Sequence, residues 1–171
     1  RHVPENVEAF RRWYADPEIS RLTRYQPSPM RPEEIDRFFE TRVVGPDALA
    51  MAVHEKATDR LVGTCAFSQL DGENGSALYH ITIGESNAWG HGYGTEATQL
   101  MLDHAFGTLS LHRIALFVFE FNERAIRAYR RCGFGECVTH FAGTAISQKP
   151  HWIERFARRP SGDENSAILK W

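Results

Sequence analysis

The stretch Trp89-Gly90-His91-Gly92-Tyr93-Gly94-Thr95 limits what this chain can fold into more than any other. Residues 77–83 before it are β-rich and read as a strand. Residues 95–106 after it carry Ala97, Leu100, Met101 and Ala105 at helical spacing and read as a helix. Alternating glycines let the backbone turn tightly and approach a ligand without Cβ clash. The helix start then exposes free N–H groups at the positive end of its dipole. Together these features suit a pyrophosphate, although spacing alone also admits a tight turn with no ligand. The turn lacks the Gly-x-x-x-x-Gly-Lys-Ser/Thr pattern of a P-loop, and glycines at 90, 92 and 94 do not match Gly-x-Gly-x-x-Gly.

The elements around the turn are read from period. Residues 4–15 carry Val7, Phe10 and Tyr14 on one helical face, and Asp16-Pro17 stops that helix. Residues 19–32 read as irregular, punctuated by Pro27, Pro29 and Pro32. Pro32 opens a second helix with Glu33 and Glu34 in its first turn and Ile35, Phe38 and Phe39 as its apolar face. Residues 48–54, 61–70 and 77–83 form a three-strand meander, its second loop marked by Asp71-Gly72-Glu73-Asn74-Gly75. Residues 113–119 are a further strand. Residues 122–131 are a helix faced by Ala125, Ile126 and Tyr129 and closed by Gly133. Residues 137–165 give no readable element, and residues 167–171 resemble a terminal strand. The meander implies antiparallel pairing, and the strand–helix–strand crossover over 77–119 implies parallel pairing. The expectation is one α/β (α+β) domain over residues 1–171, a mixed, mostly antiparallel twisted sheet flanked by helices.

Composition narrows the class. With 171 residues, 42% hydrophobic and 25% charged, the chain suits one globular core. A net charge of −2 gives no sign of a nucleic-acid binder, and no apolar run approaches a membrane span. Cys65, Cys132 and Cys137 fit no metal spacing and read as reduced thiols, with a lone disulfide as the alternative. The expected location is cytoplasmic, with no metal, no nucleic acid and no membrane partner.

The turn and a second window together resemble a known family. Trp89-Gly90-His91-Gly92-Tyr93-Gly94 is similar to the Gln/Arg-x-x-Gly-x-Gly/Ala loop of the GNAT superfamily of acyl-CoA N-acyltransferases. Trp89 departs from Gln/Arg, but Trp-Gly-x-Gly-Tyr-Gly-Thr-Glu-Ala is typical of the branch with ribosomal-protein N-terminal and spermidine N-acetyltransferases. Asn122-Glu123-Arg124-Ala125-Ile126-Arg127-Ala128-Tyr129, followed by Cys132-Gly133-Phe134, resembles the family's Asn-x-x-Ala-x-x-x-Tyr-x-x-x-Gly-Phe. The likeness covers residues 61–134, extends back to Pro4, and fades after Gly135.

The resemblance implies acetyl transfer from acetyl-CoA to a primary amine, such as a protein N-terminus, a polyamine or another small amine. The alternative is a non-catalytic acyl-CoA-binding module. It implies that Ile81, Thr82 and Ile83 line the pantetheine arm, their strand splayed from the next. Trp89, Gly90, His91, Gly92, Tyr93, Gly94 and Thr95 would hold the pyrophosphate, and Asn122, Ala125 and Tyr129 would also touch the cofactor. His91 reads equally as an exposed loop residue. Tyr129 would protonate the departing sulfur, since a phenol (about 10) lies above a thiol (about 8.5); without the resemblance it reads as a core aromatic. His80 and Glu85 are the candidate bases, each open to a purely structural reading, and an amine arriving neutral needs neither. Asn122 reads as an N-cap on any view. Arg21, Arg24, Tyr25 and Phe38 are candidates for the acceptor wall. The expected assembly is a monomer or homodimer.

Overall fold

The computed structural model describes residues 1–25, 28–136 and 150–156, with side chains through residue 135. Helices α1 (Val7–Ala15), α2 (Pro17–Thr23) and α3 (Pro32–Phe38) come first. Strands β1 (Leu49–Glu55), β2 (Arg60–Asp71) and β3 (Ser76–Ile83) follow, then α4 (Tyr93–Asp103), β4 (Arg113–Phe119), α5 (Glu123–Arg131), β5 (Gly135–Glu136) and β6 (Pro150–Phe156). The six strands lie in the order β1-β2-β3-β4-β6-β5. Every neighbouring pair is antiparallel except β3 and β4, so the sheet is mixed and mostly antiparallel, as the period predicts.

Each face of the sheet carries a helical layer. On one face Met101, Leu102 and Ala105 of the α4 segment and Tyr129 of α5 pack on Cys65, Phe67, Tyr79 and Leu116. On the other, Phe10, Trp13 and Tyr14 of α1 join Ile35, Phe39, Val43 and Ala50. Phe10 and Ile114 are fully buried, each contributing about 1.5–3 kcal/mol relative to exposure. Gly84 lets α1 dock: a Cβ there would lie 2.1 Å from the Trp13 ring. Phe38, a candidate for the acceptor wall, packs against Phe10 and Tyr14, with ring centroids at 6.4 and 5.6 Å.

Two regions differ from the sequence expectation. Residues 19–32 are not all irregular. Asp16 ends α1 and also starts α2, its carboxylate accepting the Glu18 N–H at 2.8 Å, while Pro17 takes the first-turn position where a missing N–H costs nothing. The second difference is β6, in a stretch that gives no readable element. It pairs with β4 along its whole length, from Arg113–Phe156 to Phe119–Pro150, a partnership no local pattern encodes. The helix expected over 95–106 starts at Tyr93, and its last turn widens into a π-type turn over His104–Thr108. Cys65 and Cys132 are buried. The strand expected at 167–171, like Cys137, lies outside the described residues.

Candidate active site

The parallel pair opens like a wedge. Strands β3 and β4 are joined only at Ser76–Arg113, Ala77–Ile114 and Leu78–Ala115. Past these, residues 79–83 stay paired to β2 and residues 116–119 to β6, but not to each other. Two facing edges of backbone polar groups therefore lack a partner strand, an arrangement stable only where water or a ligand answers them. One of these groups is taken: Trp89 Nε1 donates to the Ile83 carbonyl at 2.7 Å.

Beyond the open end of β3 lies the glycine turn. Gly90 has φ +83° and Gly92 φ +88°, a region that disfavours side chains, and a Cβ at either would meet nothing within 4 Å. Gly92 is the N-cap of α4 and has no side chain to cap with. The first backbone N–H groups answered within the protein are those of Thr95 and Glu96, both to the Gly92 carbonyl at 3.0 Å. The amides of residues 90–94 thus have no acceptor among the described residues. An anion with several oxygens fits that cradle, and the diphosphate of an acyl-CoA has that chemistry.

Side chains hold the cradle in place. The Tyr93 hydroxyl donates to Glu55 Oε1 at 2.7 Å, fixing the turn to the end of β1; the Thr58 hydroxyl and this bond hold the Glu55 carboxyl below its usual range. Thr98, buried in α4, donates to the Gly94 carbonyl at 2.6 Å and lies 3.2 Å from the Tyr79 hydroxyl, tying the turn to β3. His91 stacks on Tyr93 with centroids 6.0 Å apart. The Arg124 guanidinium lies 3.7 Å above the Trp89 ring, linking the start of α5 to the start of the turn. The Tyr93–Glu55, Thr98–Tyr79 and Arg124–Trp89 contacts are not written in local spacing.

The remaining candidates divide between the two faces. Ile81 packs in the α4–α5 layer, and Ile83 Cγ1 would lie 3.6 Å from a Cβ on Gly94. Tyr129 is buried on that face, edge-on to Phe134 at 5.8 Å. Burial pushes its phenol well up, so it keeps its proton, and its hydroxyl has no hydrogen-bond partner among the described residues. Asn122 Oδ1 accepts the Ala125 N–H at 3.2 Å, the cap expected of it. Thr82 and His80 alternate to the other face. Thr82 Oγ1 lies 3.5 Å from the Tyr14 hydroxyl, and His80 Nε2 lies 2.6 Å from Ser68 Oγ. Desolvation by the surrounding strands holds His80 below its usual value although the residue keeps solvent access, so the ring is neutral and able to take a proton. Glu85 Oε1 accepts from Trp13 Nε1 at 2.9 Å and from Arg12 at 3.3 Å. The structure therefore sets Tyr129 on one side of the wedge and both candidate bases on the other. Among the described residues no cluster of His, Cys, Asp and Glu could hold a metal, and no helix is long and apolar enough to cross a membrane.

Comparison with known proteins agrees with this geometry. Residues 1–135 match the model of the acetyltransferase (GNAT) domain. An uncharacterized N-acetyltransferase of Bacillus licheniformis is 29% identical over 133 residues, 76% of this chain and 74% of that one. The spermidine N(1)-acetyltransferase of Vibrio cholerae is 32% identical over 84 residues, and the match spans about half of each protein (49% and 48%). Among solved structures, a spermidine N-acetyltransferase from Vibrio cholerae in complex with CoA and spermine superposes with a TM-score of 0.73 at 19% identity, covering 91% of this chain and 92% of that one. A GNAT-family acetyltransferase from Bacillus anthracis gives 0.71 at 19% identity, covering 89% of each. The wedge, the uncapped helix start and the family match converge: the chain belongs to the GNAT acetyltransferase family, whose members are acyl-CoA-dependent acetyltransferases.

Proposed function

We propose that the protein transfers an acetyl group from acetyl-CoA to a primary amine by direct attack while both are bound. One observation carries this reading: the unanswered amides of residues 90–94 lie at the open end of an unzipped parallel strand pair. An extended acyl-CoA has a diphosphate for the first and a peptide-like pantetheine arm for the second.

In this reading the backbone of Ile81, Thr82 and Ile83 pairs with the arm as a strand would, and one N–H polarises the thioester carbonyl. The amine lone pair attacks the carbonyl carbon, a C–N bond forms and the C–S bond breaks. Tyr129 gives its proton to the departing sulfur, producing a free thiol, and a neutral phenol held in a buried site is suited to that donation. The proton lost by the amine passes to His80 or to water; Glu85, already engaged by Trp13 and Arg12, anchors α1 more than it serves as a base. Asn122 and Ala125 set the start of α5 beside the arm. The relatives that act on spermidine make a small amine a reasonable acceptor class.

The test is thiol release from acetyl-CoA across a panel of primary amines. Double-reciprocal plots should intersect, as a ternary complex demands. Parallel lines would point to an acetylated enzyme, and cofactor binding with no turnover of any amine would favour the non-catalytic reading.

A further inference from the structure

The mouth of the wedge has a second rim, on the side of α2. Phe119 ends β4, and Phe121 stacks on it with centroids 5.4 Å apart and planes within 5°. Tyr25 stands edge-on to Phe119 at 5.6 Å. Phe121 is 39% exposed and Tyr25 51% exposed, so this aromatic shelf opens to solvent. The Arg21 guanidinium lies 5.0 Å above the Phe121 ring. It has no carboxylate within ion-pair distance among the described residues. Arg24, one turn on, donates to the Ser28 carbonyl at 2.6 Å.

Two of the acidic groups nearby, Asp16 and Glu85, are engaged. Asp16 caps α2. Glu85 is held by Trp13 and Arg12, and Glu18 acts electrostatically on Arg124. A polycation entering here would meet the guanidinium groups of Arg21 and Arg24. A stacked arginine keeps its N–H edge free and favours a planar carboxylate, which it can bind through two parallel hydrogen bonds.

We infer that the acceptor is a primary amine that also carries a carboxylate and an apolar or aromatic body, the carboxylate recognised by Arg21 and the body by the Phe119–Phe121–Tyr25 shelf. This rests on the acetyl transfer proposed above and gives its acceptor a class. It also separates this chain from relatives that act on spermidine, a polyamine without a carboxylate. Arg21 is here a specificity-determining residue: it sets which amine is held, not the chemistry at the thioester.

The experiment compares thiol release at saturating acetyl-CoA with phenylalanine, phenethylamine and spermidine as acceptors. Acetyl-CoA affinity is measured separately by calorimetry. The expected kcat/KM for phenylalanine exceeds that for phenethylamine by about tenfold or more, the worth of one charge-assisted contact, with spermidine the poorest of the three. In Arg21→Ala the KM for phenylalanine rises about tenfold, while kcat and the acetyl-CoA affinity hold; Arg21→Lys restores part of the loss, and Arg21→Glu reverses the order of phenylalanine and spermidine. Equal or better use of spermidine or phenethylamine by the unaltered protein overturns the inference. So does an Arg21→Ala variant that weakens all acceptors alike, or a failure to use phenylalanine with cofactor binding intact. Absence of acetyl-CoA binding would strike the cofactor assignment instead.

Discussion

Helices α2 and α4 begin in opposite ways. Helix α2 starts under an aspartate that accepts one of its free amides, with a proline where an amide is not needed. Helix α4 starts on a left-handed glycine with no side chain, after a second left-handed glycine, and the amides of residues 90–94 are left unanswered. Both ends face the same physical demand, since exposed N–H groups at a helix start seek acceptors. The protein meets it locally at the start of α2. It leaves the demand open where two strands have parted. An unmet demand of this kind, held in place by Tyr93–Glu55 and Thr98–Gly94, is what the proposed cofactor site rests on.

The largest expected effect comes from removing that difference. Gly92→Asp puts a carboxylate among the free amides of α4. Acetyl-CoA affinity by calorimetry should fall about a hundredfold or more, because a negative charge there repels the diphosphate proposed to bind. The thermal midpoint should stay within roughly 4 °C, since Asp tolerates the left-handed region better than most residues. Unchanged affinity would break the comparison.

Next is Tyr129→Phe, expected to lower kcat about a hundredfold with acetyl-CoA affinity within about twofold. Its buried hydroxyl has no partner among the described residues, so the variant should fold at least as stably. An unaltered kcat would remove Tyr129 from the chemistry and leave it as core.

The converse of the first change is Asp16→Ala. Losing the α2 cap should cost about 1 kcal/mol, a drop of about 2–4 °C for a domain of this size. Activity at a temperature where the protein is folded should hold within about twofold.

The smallest effect on activity concerns pH on the α1–α3 side. His2 lies 2.9 Å from Thr64 Oγ1 and edge-on to Phe10, and burial pulls its ring down to about 4. The folded state therefore binds fewer protons than the unfolded chain between about 6.5 and about 4. Stability from the neutral ring is fully present above about 6.5 and lost as pH falls toward 4. Thermal midpoints of the unaltered protein should drop more steeply across that window than those of His2→Asn, with acetyl-CoA binding at pH 7 the same in both.

Much of the site was legible because it is local. Alternating glycines between a β-rich run and a helical run, and Asn122 three residues before Ala125, encode their own geometry within a few residues of chain. Strand β4 was readable for the same reason, its apolar run bounded by polar residues. Helix α2 was hidden because prolines nearby suggested loop, although Pro17 sits where a helix welcomes it. Strand β6 was hidden because its reason for being a strand is β4, distant in sequence. The stacking of Arg124 on Trp89 and Arg21 on Phe121 depends on how whole elements pack, and no spacing rule carries that.

Amide hydrogen exchange with and without saturating acetyl-CoA tests the central claim most directly. Exchange at residues 90–94 should slow about tenfold or more when the cofactor binds, while the amides of α2 keep their rates. Acetyl-CoA that binds without slowing residues 90–94 would contradict the account.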